Sequence, residues 1–315
     1  MGYKFLVSDG LAEEGLALLR ANGEVTANPK ISLEELMITI PDYDVLIVRS
    51  RTKVTEALIE AGKRLKVIGR AGVGVDNINV EAAISRGIIV LNSPLAATTA
   101  VAEHTLALML AVARKIPAAD TSLKLGKWHK SQFMGIELAG KTLGLLGLGR
   151  IGESVAQLAA AFGMTVLAYD PYLTEDQIIQ RNALPSTLES VLRQSDFISL
   201  HMPLTPETSG MLGTNQFSLM KRGVRLVCTA RGGVIVETAL WEALDNGTVA
   251  GAALDVFAIE PPPPNGIASH PLVIATPHIS AQTVEAQLRA GVGIAEEVLT
   301  VLEGKEPRWR VTSVD

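Results

Sequence analysis

Residues 141–170 read KTLGLLGLGRIGESVAQLAAAFGMTVLAYD and contain two short apolar runs separated by a turn and an Ala-rich segment. Each run has the length and composition of a fully buried parallel strand, and the segment between them has helical periodicity. The turn carries glycines in the spacing G-x-G-x-x-G, namely Gly147, Gly149 and Gly152. The second run ends at Asp170. This order predicts a parallel β-α-β unit.

The glycine spacing and the terminal acid are typical of a dinucleotide site. The first glycine permits a tight turn, the second lets a pyrophosphate approach the backbone, and the third lets the helix pack closely on the strand. N–H groups at the start of the helix would face the phosphates. Asp170 lies about 20 residues beyond the glycines, where a carboxylate accepts both ribose hydroxyls and repels a 2′-phosphate. The pattern predicts NAD, rather than NADP, as the cofactor.

The composition is that of a globular protein of about two domains. The chain has 315 residues, 48% of them hydrophobic and 19% charged, with a net charge of -5. There is no basic excess that would indicate nucleic acid as a partner. No apolar run approaches the ~18 residues of a membrane span. The single cysteine, Cys228, fits a reducing compartment, and the N-terminus has no charged-then-apolar leader, so we expect a cytoplasmic protein.

Short apolar strands and helical segments alternate before residue 98, and the same alternation resumes after the glycine-rich unit. Alternation of this kind implies parallel sheets wrapped by helices. A final predicted helix, 283–303, is long enough to return to the first sheet. The sequence therefore predicts an α/β fold of two doubly wound parallel-sheet domains. A Rossmann domain for NAD, residues 99–283, is inserted into a flavodoxin-like substrate domain, residues 1–98 and 284–315.

Two loops of the first predicted domain carry arginines directly after strands. Residues 49–51 read Arg-Ser-Arg, and residues 70–76 read RAGVGVD. Open parallel sheets bind ligands at the carboxyl ends of their strands, and a glycine-flanked turn can point successive N–H groups at an anion. Solvated surface charge is the competing interpretation of these arginines.

Residues 100–115, AVAEHTLALMLAVARK, form a predicted helix that must be buried nearly all round, between the domains or at a subunit interface. We interpret His104 within it as a core histidine. Residues 124–135 are interpreted as a polar loop that includes Trp128. We expect no metal site.

Four ionisable side chains follow strands of the glycine-bearing domain: Arg231, Asp255, Glu260 and His278. Carboxyl ends of parallel strands share one edge, so these side chains should crowd the place where the nicotinamide would lie. Oxidation of a 2-hydroxy acid needs a guanidinium that clamps the carboxylate, a histidine that takes the hydroxyl proton, and a carboxylate that holds the imidazole in one tautomer. We assign these roles to Arg231, His278 and Glu260. Singly, each residue also has a structural explanation.

The series GRAGVGVDN, GLGRIG, AYDP, TARGG, ALDVF, EPPPP and PHIS closely resembles the D-isomer-specific 2-hydroxyacid dehydrogenases over almost the whole chain. The resemblance implies the same catalytic residues, with Arg150 and Ile151 at the pyrophosphate and Asp255 at the nicotinamide amide. Other residues implied to line the cofactor are Val73, Gly147, Gly149, Gly152, Asp170, Met202, Thr229, Ala230, Arg231, His278, Ser280 and Ala281. Implied substrate-binding residues are Arg49, Ser50, Arg70, Gly72, Val73, Gly74 and Lys130. Members are commonly homodimers joined through the helix at 100–115.

The resemblance is strongest to members that oxidise a phosphorylated 2-hydroxy acid, whose phosphate would meet Arg49, Arg70 and Lys130. Departures from the usual pattern at 96–97, 228 and 280–282 flank the predicted pocket, so a glyoxylate or hydroxypyruvate reductase is a second hypothesis. An NAD(H)-sensing binding protein of the same fold is a third. Glu260 argues against the formate-oxidising relatives, which carry an amide there. Longer members continue into regulatory domains, so we expect either a short form or a truncated chain.

Overall fold

The computed structural model describes residues 2–312, and their contacts divide the chain into two compact units. The first unit comprises the residues up to Ala97 together with those from Ala281 onward. The second unit is Thr98–Ser280. In the described part of the chain, no helix combines the length and the apolar composition that a bilayer crossing needs.

Strands and helices alternate along the chain. The strands are β1 (Tyr3–Val7), β2 (Gly23–Ala27), β3 (Val45–Val48), β4 (Val67–Arg70), β5 (Ile89–Asn92), β6 (Thr142–Leu146), β7 (Thr165–Tyr169), β8 (Leu184–Pro185), β9 (Phe197–Leu200), β10 (Val224–Cys228), β11 (Val249–Leu254), β12 (Val273–Ala275) and β13 (Arg310–Val311). The helices are α1 (Glu13–Arg20), α2 (Leu33–Thr39), α3 (Glu56–Ala61), α4 (Val80–Ser85), α5 (Thr98–Arg114), α6 (Ile116–Lys124), α7 (Arg150–Ala161), α8 (Glu175–Gln180), α9 (Leu188–Gln194), α10 (Thr214–Leu219), α11 (Glu237–Asp245) and α12 (Val284–Leu302).

The first unit contains a sheet in the order β13-β5-β4-β3-β1-β2, whose strands are parallel except for β13 against β5. Its parallel part has the flavodoxin-like order 2-1-3-4-5. The central strand β3, of sequence VLIV, is buried at every position, because helices cover both faces of such a sheet. Helix α12 belongs to this unit and packs against β4 and α1.

The second unit contains a parallel sheet in the order β12-β11-β10-β9-β6-β7-β8. Counted from β6, this is the Rossmann order 3-2-1-4-5-6 with one further strand. The order reverses between β6 and β9, and open α/β sheets bind ligands at the carboxyl ends of strands beside such a point. The predicted fold class of two parallel-sheet domains is confirmed by both sheets.

The apolar helix predicted at 100–115 is α5, and its burial nearly all round, between the domains or at a subunit interface, stays a prediction. One face of α5 packs on α7, β10 and β11, whereas Glu103, Ala107 and Arg114 are exposed. Helix α6 follows at once and was not predicted from the sequence. None of its residues is buried, so its sequence has no apolar face directed at a core.

Candidate active site

The glycine-rich turn joins β6 to α7 at the carboxyl edge of the second sheet. Gly147 has a φ of 88°, and a Cβ there would lie 2.8 Å from the His201 carbonyl oxygen. A Cβ on Gly152 would lie 2.4 Å from the Gly147 carbonyl oxygen, whereas one on Gly149 would meet open space. Packing within the chain thus requires two of the glycines, and the third leaves the turn open to a pyrophosphate. The turn fits NAD.

Asp170 follows β7 and lies beside this turn. Its Oδ2 accepts a hydrogen bond from Leu148 N at 2.8 Å, and its Oδ1 accepts one from Tyr172 N at 3.0 Å. Each carboxylate oxygen has a second acceptor site, so ribose hydroxyls can still bind. The negative charge would repel a 2′-phosphate at the same place. The surroundings of Asp170 therefore fit NAD better than NADP.

His201 and Met202 follow β9, next to the turn. His201 N donates to the Leu146 carbonyl oxygen at 2.8 Å, and its Nε2 pairs with Ser199 Oγ at 2.8 Å. Burial lowers the pKa of His201 to about 4, so the imidazole is neutral near pH 7. His201 therefore stabilises the end of β9 through these hydrogen bonds. Met202, the next residue, is 9% exposed.

Glu260 and His278 form a hydrogen-bonded pair. Nδ1 of His278 lies 2.8 Å from Oε2 of Glu260, and Oε1 of Glu260 accepts a hydrogen bond from Phe257 N at 3.1 Å. The backbone bond orients the carboxylate, and the carboxylate orients the imidazole. Because Nδ1 is engaged, Nε2 is the nitrogen that can exchange a proton with a bound molecule. The His278 side chain is 47% exposed and that of Glu260 is 39% exposed, so solutes can reach both.

The backbone at His278 has a φ of 53°, in the left-handed region that side chains other than glycine rarely adopt. Asp255 holds it there. The Asp255 carbonyl oxygen accepts from His278 N at 2.9 Å, Oδ1 accepts from Ile279 N at 2.9 Å, and Oδ2 accepts from Ser280 N at 2.8 Å. Successive N–H groups of the histidine segment thus bind one buried aspartate, which compensates for the strained conformation.

The Asp255 side chain is fully buried yet ionised. Burial would raise the pKa of Asp255, but the neighbouring His104 imidazole and hydrogen bonds from Thr276 and the two backbone N–H groups outweigh it and lower the pKa to about 2. The donor Thr276 Oγ1 lies 2.6 Å from Oδ1. Contact between Asp255 and the nicotinamide amide stays a prediction.

The interpretation of His104 as a core histidine stays a prediction, and its side chain is 21% exposed. Its Nε2 lies 3.3 Å from Thr276 Oγ1 and 3.7 Å from Asp255 Oδ1. Helix α5 packs on β10, β11 and β12, so this helical position faces the polar groups at the strand ends. The almost wholly apolar sequence of α5 gave no signal of this polar contact.

Arg231 follows β10, after Thr229 and Ala230. Nη1 of Arg231 donates to the Ala230 carbonyl oxygen at 2.8 Å. Thr229 Oγ1 lies 2.9 Å from Thr105 Oγ1 of α5, which anchors the start of this loop. Burial raises the pKa of Cys228 to about 11, so the thiol is protonated near pH 7 and acts as a small apolar side chain.

In the first unit, the loop at Arg49 is held from two sides. Asp9, only 8% exposed, accepts from Arg49 N at 2.8 Å, and Asn77 Nδ2 donates to the Arg49 carbonyl oxygen at 2.8 Å. Arg51 forms an ion pair with Asp9 at 3.1 Å and donates to the Ile31 carbonyl oxygen at 3.0 Å. Sequence reasoning missed Asp9, although it too follows a strand of this sheet.

The remaining predicted residues divide between the units. Ser50, Arg70, Gly72, Val73, Gly74 and Ala281 lie in the first unit, where Asn92 Nδ2 donates to the Val73 carbonyl oxygen at 2.6 Å. Arg150 and Ile151 begin α7 and Ser280 ends the second unit. Lys130 lies in the second unit, in a 3₁₀ turn, and lines a cavity of ≈ 660 Å³ together with Arg114, Trp128 and Phe133.

Comparison with known proteins places this architecture in a family. The family model described as D-isomer specific 2-hydroxyacid dehydrogenase, NAD binding domain, matches residues 106–280. The TT0316 protein from Thermus thermophilus is 37% identical, with a TM-score of 0.89 over 98% of this chain and 100% of that one. D-lactate dehydrogenase from Aquifex aeolicus, solved with NAD and lactic acid, is 30% identical with a TM-score of 0.82, covering 96% of each chain. The chain belongs to the D-isomer-specific 2-hydroxyacid dehydrogenase family, and its second unit carries the NAD-binding domain.

Longer relatives match the chain over part of their length. D-3-phosphoglycerate dehydrogenase from Archaeoglobus fulgidus is 49% identical over 303 residues, and the enzyme of that name from Methanocaldococcus jannaschii is 50% identical over 303 residues. Each alignment covers 96% of this chain and 58% of the relative. The chain thus spans somewhat more than half the length of these relatives.

Proposed function

We propose that this chain catalyses the NAD-dependent oxidation of D-3-phosphoglycerate to 3-phosphohydroxypyruvate, the first reaction of serine biosynthesis. The observation that carries the proposal is the His278–Glu260 pair, with its 2.8 Å hydrogen bond on Nδ1 and its partly exposed side chains. The name shared by the long relatives supports this substrate.

In the proposed reaction Arg231 binds the substrate carboxylate and polarises the C2 oxygen. Nε2 of His278 accepts the C2 hydroxyl proton as the C2–H bond breaks. The glycine turn and Asp170 would hold NAD, whose nicotinamide would supply the hydride acceptor. Glu260 keeps the proton of the neutral imidazole on Nδ1, and it then stabilises the imidazolium.

Recognition of the phosphate is assigned to Arg49, Arg70 and Lys130. The backbone of Arg49 is held by Asp9 and Asn77, which limits the loop motion that would accompany anion binding. Burial lowers the pKa of Arg49 while Asp9 acts in the opposite direction, and the guanidinium stays charged near pH 7. A charged guanidinium on an anchored stretch of backbone is suited to a phosphate.

One observation favours the second candidate, a reductase of glyoxylate or hydroxypyruvate. Oε1 of Gln282, one of the residues that departs from the usual pattern, accepts from Nη2 of Arg49 at 3.2 Å. A guanidinium donor engaged in this way is not offered to a phosphate. A smaller keto acid has no phosphate and would not need this donor of Arg49.

The test measures NADH oxidation at steady state with 3-phosphohydroxypyruvate, hydroxypyruvate and glyoxylate, and repeats it with NADPH. We expect kcat/KM for the phosphorylated keto acid to exceed the others by at least about a hundredfold, or ~2.7 kcal/mol of discrimination. A flat or reversed preference would favour the reductase. Negligible turnover with all three would favour an NAD(H)-sensing protein.

We also propose a homodimer joined through the region of α5, extended to α6. No residue of α6 is buried, and apolar side chains on and after it are exposed: Leu123 at 58%, Leu125 at 66%, Trp128 at 79% and Met134 at 80%. An apolar surface of this kind is typical of a protein interface. Cytoplasmic localisation stays a prediction.

A further inference from the structure

Leu148, the central residue of the Gly147–Gly149 turn, is held through both of its backbone groups. Its N–H donates to Asp170 Oδ2 at 2.8 Å. Its carbonyl oxygen accepts from Nη1 of Arg181 at 2.5 Å, and its side chain is fully buried. The sequence pattern accounts for the aspartate, but it assigns nothing to the arginine.

Arg181 directly follows α8, a helix that does not belong to the glycine-rich unit. Besides its bond to the turn, its Nε lies 3.9 Å from Oε2 of Glu153, in the first turn of α7. The Arg181 side chain is 29% exposed and that of Glu153 is 37% exposed. One guanidinium therefore connects the carbonyl of the turn with the start of the helix that follows it.

Holding this carbonyl has a consequence for the neighbouring donor. The Leu148 C=O and the Gly149 N–H belong to one planar trans peptide and point in opposite directions. Rotation of this peptide plane changes ψ of Leu148 and φ of Gly149, and a glycine leaves φ little restricted, so the plane could rotate at small cost. A bond that fixes the carbonyl therefore also fixes the direction of the Gly149 N–H. That N–H stands at the start of α7, where a dinucleotide places its pyrophosphate.

We propose that Arg181 is a positioning residue for the cofactor: its bond to the Leu148 carbonyl aims the Gly149 N–H at the pyrophosphate of NAD and so sets the affinity for the cofactor. Arg181 acts through the backbone of the turn and does not itself need to touch the cofactor. The inference rests on the NAD-binding domain, and it is independent of which 2-hydroxy acid is the substrate.

The test titrates the whole chain with NADH and with ADP-ribose, followed by NADH fluorescence and by calorimetry. We expect Arg181→Ala to raise the Kd of both ligands by the same factor, about tenfold, since both carry the pyrophosphate. Arg181→Lys, which keeps the charge and a single donor nitrogen, should recover part of this loss. With NADH saturating, kcat should stay within twofold of wild type while KM for NADH rises.

Two further measurements separate positioning from simple charge attraction. At 0.5 M NaCl the screening length falls to about 4 Å, and the loss caused by Arg181→Ala should persist because the effect is local. Glu153→Gln, which removes the neighbouring negative charge, should change the Kd of NADH by less than twofold. Two results would overturn the proposal. One is tighter NADH binding by Glu153→Gln, and the other is a loss of NADH affinity in Arg181→Ala that disappears at 0.5 M NaCl.

Arg193→Ala is the matched control, since it removes an arginine of the same unit that pairs with Glu189 at 2.8 Å on the surface of α9. We expect wild-type affinity for NADH from this variant. Thermal unfolding of each variant shows whether the second unit remains folded. If folded Arg181→Ala binds NADH with wild-type affinity, the proposal is wrong.

Discussion

His278 combines a strained backbone with a side chain fixed by Glu260, and each feature has a separate source. The left-handed φ of 53° is held by hydrogen bonds to Asp255, and the 2.8 Å bond to Glu260 selects the tautomer. The segment therefore delivers Nε2 in one orientation without rearrangement. The proposed reaction requires a base oriented in this way for proton transfer during hydride loss.

Replacing His278 by Ala should lower kcat by about 10²- to 10⁴-fold, the usual contribution of a positioned acid–base group. The Kd of NADH should change by less than twofold, because the glycine turn and Asp170 are untouched. His129→Ala, which removes an exposed histidine of the same unit, serves as the control. A comparable loss of NADH affinity and of kcat in His278→Ala would argue against the assigned role.

His201 predicts a dependence of stability on pH. Its folded-state pKa of about 4 lies below the ordinary value of 6.5, so the unfolded chain binds the proton more readily. This contribution to stability is fully present above pH 6.5 and is lost as the pH falls toward 4. From pH 7.5 to pH 5, the free energy of unfolding should fall about 2 kcal/mol more in wild type than in His201→Asn. Urea titrations at both pH values would measure this, and parallel curves would contradict it.

At the level of elements, α1 and α12 of the first unit approach each other through glycines. A Cβ on Gly15 of α1 would lie 2.6 Å from the carbonyl oxygen of Gly291 on α12. A Cβ on Gly293 of the same helix would meet its nearest neighbour, Ser93 Oγ, at 3.8 Å. Close packing of the two helices therefore requires glycine at position 15, whereas the surroundings of Gly293 leave room for a side chain.

These surroundings predict that alanine substitutions at Gly15 and Gly293 change the free energy of unfolding in opposite directions. Gly15→Ala should lower the free energy of unfolding by about 1–3 kcal/mol, because the added methyl group pushes the helices apart. Gly293→Ala should raise it by up to about 1 kcal/mol, because alanine has the higher helix propensity and there is room for it. Urea unfolding of the two variants beside wild type measures both. Stabilisation by Gly15→Ala would show that the close approach is not required.

Elements differed in how well the sequence predicted them. The unit β6-turn-α7-β7 was predicted because apolar runs, glycine spacing and helical periodicity all indicate it locally. Strand β2, of sequence GEVTA, lies at a sheet edge and has no fully buried residue, so it lacks an apolar signature. Helix α6 has no buried face, and β13 has only two residues. Sequence patterns reveal an element through the apolar residues that it buries, and these three elements bury few.

For the whole molecule, the exposed apolar surface around α6 predicts self-association. Sedimentation equilibrium at micromolar concentration should give twice the mass of one chain. The double substitution Leu123→Glu and Leu125→Glu should shift the mass to that of a single chain, because charges buried at an interface are strongly unfavourable. The free energy of unfolding of one chain should change little, since both side chains are exposed.

Ile38→Glu provides the control for this experiment. Ile38 is 80% exposed on α2, in the first unit, whereas the proposed interface belongs to the second. The substituted chain should keep the wild-type mass. A wild-type chain that sediments as a monomer, or a doubly substituted chain that keeps the doubled mass, would show that this surface does not join two copies.

The sequence by itself determined the two parallel sheets and the glycine turn for NAD, because motif spacing and apolar periodicity act over short stretches of chain. The catalytic residues that it indicates stay a prediction. The supporting contacts came from the tertiary structure alone. They join residues far apart in sequence: Asp9 to Arg49 across 40 positions, Leu148 to Arg181 across 33, and Asp255 to Ser280 across 25. Such contacts depend on how strands and helices pack, and no local pattern encodes which distant polar group a given turn will meet.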